Sequence, residues 1–86
     1  AVQMRRAATS VPSNIAEGWG RNSDGAYANF VRISVGSVAE LQTQLEIAQM
    51  MAMVPEERTT RLIGRCEVLM KRLNALAASI SRRSET

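Results

Sequence analysis

Arg5-Arg6-Ala7-Ala8-Thr9-Ser10-Val11-Pro12-Ser13-Asn14-Ile15-Ala16-Glu17-Gly18 carries a helical pattern straight across a proline. Pro12 removes a backbone donor and crowds the turn before it. Either the helix stops and restarts, with Ser10 as cap and Pro12 just inside the new start, or one helix runs through with a kink. Ile15, Ala16 and Glu17 continue the period, and Gly18 suits a left-handed terminus. One kinked helix over about residues 2–18, ending at Gly18, is the favoured reading.

The glycine-flanked Trp19 follows in a turn-rich loop, where it either plugs one end of a bundle, the favoured reading, or stands exposed as an anchor for a partner. Ser23 and Asp24 then cap and charge a new helix start. Over about 24–53, Tyr27, Val31, Val38, Leu41, Leu45 and Ala48 recur at three and four residues with Ser34 inside the series. Phe30, Ile33, Ile47 and Met51 form a parallel row that makes the apolar stripe too wide for a two-helix contact. Gly36, beside Ser34 and Ser37, reads as a notch for close helix packing. Met50, Met51 and Met53 read as bundle-end packing. Pro55, Glu56 and Glu57 open a last helix over about 55–82, with Leu62, Cys66, Leu69, Leu73, Leu76 and Ile80 as a heptad seam and Ile63, Met70 and Ala77 as a second line. The chain is therefore expected to form a single all-α domain over residues 1–86, an up-and-down antiparallel helical bundle.

Composition agrees. Of 86 residues, 45% are apolar but only three are aromatic, so a core must be aliphatic, which suits helices. A chain of this size buries only about 60% of its unfolded surface and is marginal alone. The single cysteine, Cys66, forms no internal disulfide and reads as a small buried hydrophobe; a reducing cytoplasm fits. With no histidine, metal sites of the Cys/His kind are excluded, and no run approaches the roughly 20 apolar residues of a membrane span. Ala1 leads straight into helical pattern, which raises the expectation of a preceding segment.

Ser37, Glu40 and Gln44 interrupt the second apolar row of the middle helix, and Ser10, Ser13, Asn14 and Glu17 offer matching polar groups on the proline-centred helix. A register-setting structural network of Ser13, Asn14, Glu17, Ser37, Glu40 and Gln44 is expected. A Glu17–Glu40 acid–base or metal pair lacks the Glu-x-x-His motif of carboxylate-bridged bundles. Gly18-x-Gly20 lies between helices, without the strand that a dinucleotide fingerprint requires. The expectation is no catalytic residue, no cofactor, no metal, no membrane and no small-molecule substrate. Net charge is +3 and the bases are ten Arg to one Lys, a bias that either genome composition or a phosphate-facing surface produces. Candidate partner or nucleic-acid residues are Arg5, Arg6, Arg21, Arg32, Arg58, Arg61, Arg65 and Arg72.

The run Arg5-Arg6-Ala7-Ala8 into Val11-Pro12-Ser13-Asn14-Ile15-Ala16-Glu17-Gly18, the following aromatic-Gly, and Gly36-Ser37-x-x-Glu40-Leu41-x-x-Gln44-Leu45-x-Ile47-Ala48 resemble a four-helix-bundle family. That family is named for proteins encoded in 23S rRNA intervening sequences, and accessory proteins of diversity-generating retroelements share the pattern. The resemblance spans essentially the whole chain. It implies a further N-terminal helix, apparently missing here, and a glutamate where this chain has Ala26. It also implies a non-enzymatic cytoplasmic bundle forming ring-like homo-oligomers, commonly pentamers. Its retroelement members suggest an alternative, a basic surface that contacts RNA, DNA or a reverse transcriptase.

Overall fold

The computed structural model describes residues 2–84 as three helices: α1 (Val2–Trp19), α2 (Asp24–Met50) and α3 (Glu56–Ser84). No strand occurs among the described residues. Ser37 on α2 meets Ser10 on α1, while Phe30, earlier in α2, meets Gly18, later in α1, so the two run antiparallel. Asp24 at the start of α2 holds Arg83 near the end of α3, which makes the second pair antiparallel too. All-helical architecture and up-and-down direction thus follow the pattern in the sequence. The described residues hold three helices, and the fourth of a four-helix bundle is not among them.

Helix α2 packs against both neighbours, and the backbones of α1 and α3 make no close approach to each other. The result is a flat plate, 49 × 21 × 12 Å between Cα atoms. Its core is the α2 stripe of Ala28, Val31, Val38 and Leu45 with Cys66, Leu73, Ala77 and Ile80 of α3, and Met4, Val11 and Ile15 of α1 lean against it. Ser34, fully buried inside this stripe, donates to its own helix at Phe30 O, 3.2 Å, or across to Val11 O, 3.1 Å.

Several local readings need correction. Helix α1 runs through Pro12 as the favoured reading has it, but it ends at Trp19, one residue later, and no glycine among the described residues has positive φ. Gly18 is needed for a different reason: a Cβ there would lie 2.7 Å from Phe30 Cβ and 3.3 Å from Tyr27 Cα. Gly36 is no notch, since nothing lies within 4 Å of where its Cβ would be. Helix α2 stops at Met50, three residues early, in a Schellman turn. Met53 N donates to Ala48 O and Ala52 N to Gln49 O, both at 3.0 Å, with Ala52 at φ 54. Pro55 precedes α3, and its carbonyl accepts from Arg58 and Thr59.

The seam of α3 is also rotated. Cys66, Leu73 and Ile80 are buried as the heptad requires, but Leu69 and Leu76 remain 39% and 37% exposed while Thr59 and Ala77 are buried. One neighbour covers one face, and α3 has only α2.

Candidate functional site

The polar groups expected to form one network fall into three places. Ser10 and Ser37 hydroxyls meet across α1 and α2 at 2.8 Å, and Asn14 Nδ2 donates to Ser10 O and Oγ, both at 2.8 Å. This half-buried trio sets register between the helices. Glu17 turns away from it to pair with Arg21 at 2.7 Å, one turn along and exposed. Glu40 is exposed and accepts from Gln44 Nε2 at 3.3 Å on its own helix, so the premise of a buried carboxylate fails. Ser13 is exposed and contributes to the network no hydrogen bond. No group of three or more Cys, Asp or Glu among the described residues is arranged to hold a metal ion.

Five of the eight candidate arginines line two separate surfaces. Arg5 and Arg6 border a trough of about 450 Å³ along α1 with Val2, Thr9, Ser10 and Ser13. On α3, Arg61, Arg65 and Arg72 line one of about 400 Å³ with Gly64, Val68 and Leu69. Arg5, Arg6, Arg58, Arg65 and Arg72 have no acidic partner among the described residues, and Arg61 reaches Glu57 only at 3.9 Å. Arg32 donates to Ser81 at 3.0 Å, and Arg21 lies over the Phe30 ring, 5.4 Å from its centroid, while paired with Glu17. Arg21 and Arg32 are therefore tied down by neighbours.

Trp19 does not plug the bundle. It is 74% exposed, and its ring touches only the edge of Tyr27 at the start of α2's apolar stripe, with centroids 5.6 Å apart. Beside it, Arg83 closes on Asp24 through Nε and Nη2 at 3.1 and 2.9 Å. That hydrogen-bonded guanidinium holds the Asp24 carboxyl below its ordinary range. Burial pushes the Cys66 thiol up, with a smaller contribution from the Glu67 charge, so it is an inert core group.

The methionines are also outside. Met50, Met51 and Met53 are all exposed, with Ile47 half in solvent. Gln3, Met4, Gln44, Ile47, Ala48 and Met53 enclose an apolar cleft of about 190 Å³ where α1 begins and α2 ends. The Met cluster is visible in the sequence, but nothing there shows that the turn carries it off the core. The Asp24–Arg83 pair, 59 residues apart, leaves no local signal at all.

The model of the 23S rRNA-intervening sequence protein family matches residues 1–75. This chain belongs to that family. No individual curated protein matches it. The segment that makes it a 23S rRNA-intervening sequence protein includes the proline-centred helix, the Gly36–Ala48 run and the Met-lined cleft, while Arg83 lies beyond it. No described helix is long and apolar enough to cross a membrane.

Proposed function

We propose that this 23S rRNA-intervening sequence protein is a non-enzymatic, cytoplasmic helical protein that works as a homo-oligomer. One observation carries the reading. Ten large apolar side chains are exposed, Trp19, Ile47, Met53, Val68 and Leu76 among them, whereas the buried core holds five residues as large as valine or leucine. Exposed apolar residues gathered in one place support an association surface, and Ile47, Met50, Met51 and Met53 gather around the end of α2 and the turn after it. A five-membered ring is the size that the family resemblance favours. Sedimentation equilibrium from nanomolar to high micromolar protein tests it: association is expected, and a monomer at every concentration removes it.

A second reading is contact with RNA or DNA phosphates, supported by Arg5, Arg6, Arg58, Arg65 and Arg72, which have no acidic partner among the described residues, and by the two open troughs that Arg5 and Arg6 and then Arg65 and Arg72 line. Such contacts are independent of sequence and steeply salt-dependent. Titrating labelled single- and double-stranded RNA at low salt tests it. Binding that weakens sharply with added salt and with Arg65→Glu/Arg72→Glu supports it, and no binding at low salt ends it.

A further inference from the structure

Asn22 differs from the chain's other asparagines in what surrounds it. Asn14, Asn29 and Asn74 lie within α1, α2 and α3, where the N–H of the next residue is tied to the carbonyl four residues back. Asn22 stands in the short connection between α1 and α2, exposed and followed by Ser23. Its carboxamide makes no hydrogen bond among the described residues, and neither does the Ser23 backbone N–H. A cyclisation needs an electrophilic side-chain carbonyl and the next main-chain nitrogen. Both are free here, and the unbranched Ser23 side chain leaves the nitrogen open.

We propose that Asn22 is a self-modifying site, converted without an enzyme to aspartate and isoaspartate through a succinimide closed onto Ser23. The Ser23 nitrogen loses its proton and bonds to Asn22 Cγ, and the side-chain amide leaves as ammonia. Water then adds to either carbonyl of the ring and breaks that carbonyl's bond to the nitrogen. Opening at the side-chain carbonyl gives aspartate, and opening at the main-chain carbonyl gives isoaspartate, with the chain continuing through Cγ. Water is consumed and ammonia released, and nothing is oxidised or reduced.

The surroundings treat the two products differently. Asn22 borders a recess with Arg21 and Arg83, just ahead of the positive end of α2's dipole, so an aspartate carboxylate is well placed there. Isoaspartate instead adds a methylene to the main chain directly before Ser23, whose hydroxyl accepts from Ala26 N at 3.0 Å and caps α2. That product displaces the cap. The neighbouring Asp24-Gly25 pair offers the same ring, but Arg83 holds Asp24 as a carboxylate at 2.9 and 3.1 Å, a form that a nitrogen does not attack. The labile link is therefore Asn22 to Ser23.

Ageing the full chain in warm, mildly alkaline buffer and mapping its peptides by mass spectrometry tests the site. In the folded protein Asn22 is expected to convert several-fold faster than Asn14, Asn29 or Asn74, with two products resolved, of which isoaspartyl methyltransferase labels one. Unfolding in guanidinium is expected to speed the three helical asparagines and leave Asn22 little changed, because only they lose protection. Ser23→Thr keeps a capping hydroxyl and crowds the nitrogen with a β-branch. It is expected to retain its helical circular dichroism and to slow conversion several-fold. The isoaspartyl fraction is expected to melt below the aspartyl one. Conversion of Asn22 no faster than that of the helical asparagines, a large acceleration of Asn22 on unfolding, Ser23→Thr converting at the parent rate, or isoaspartate formed at Asp24 with Asn22 intact overturns the proposal. Equal melting of the two fractions overturns the displacement of the cap.

Discussion

A methyl group added at Gly18 and one added at Gly36 meet opposite surroundings. At Gly18 it would press on Phe30 Cβ at 2.7 Å and on the Tyr27 backbone, neither of which swings away as a side-chain tip does. Overpacking of that kind costs about 1–3 kcal/mol, against about 1 kcal/mol at most returned by alanine's helix propensity. Gly18→Ala is therefore expected to destabilise the chain in urea titration. Gly36→Ala meets open space in mid-helix and is expected to stabilise by about 0.5–1 kcal/mol. The reverse order would mean that α1 and α2 do not approach at Gly18. Both glycines are plain in the sequence, yet the close approach expected at Gly36 falls at Gly18. A glycine says that a side chain is absent, and only the neighbour across the gap says whether one would clash. Ser10, Asn14 and Ser37 are easier to read, because a polar residue inside an apolar row needs a partner wherever it lies.

At the scale of elements, the two ends of α2 are held by different chemistry, and each yields a prediction. Its C-terminal Schellman turn places Ala52 at φ 54, a conformation costing an L-residue about 1–2 kcal/mol. Ala52→Gly removes that strain at the expense of unfolded-chain entropy. A net gain of about 0.5–1 kcal/mol is expected in thermal melts, and a loss would contradict the left-handed turn. At the N-terminus, Asp24 favours the helix dipole and holds Arg83. Its carboxyl titrates below its ordinary range. A depressed folded-state value stabilises above the unfolded-state pKa and fades as pH falls through the folded one. Asp24→Asn is thus expected to melt below the parent at neutral pH. That gap should close as the medium is acidified below about pH 4; a gap that persists at the lowest pH would count against the ion pair. Helix bounds were legible to within three residues because caps and prolines are local signals. The rotation of α3 was not: the 62–66–69–73–76–80 heptad and its 63–70–77 flank are equally apolar, and only the single neighbour α2 decides which line is covered.

For the whole molecule, thickness is the governing quantity. One helix is only about 4.6 Å across its Cα atoms, so a Cα thickness of 12 Å is that of a bent row of three helices with α2 in the middle and no close approach between α1 and α3. Helix α2 gains cover on two sides, while α1 and α3 each keep faces that no part of the described chain meets. The sequence signals the need, since the α2 stripe is too wide for one neighbour, but which residues stay wet depends on the packing order. Stability should then depend on protein concentration, because anything that binds the folded state and not the unfolded one raises the melting temperature by mass action. The parent is expected to melt at higher temperature as concentration rises over two decades. Leu76→Gln changes a residue at the edge of α3's covered face, 37% exposed, so at high dilution it should lose no more than about 1 kcal/mol. If Leu76 lies in an association surface, the two melts diverge as concentration rises. If that face stays in water in the assembled protein, the variant keeps a constant offset from the parent throughout, and the contacts between copies use other faces. A Leu76→Gln protein destabilised by several kcal/mol at high dilution would mean that Leu76 is fully buried within the chain, against the 37% exposure found here.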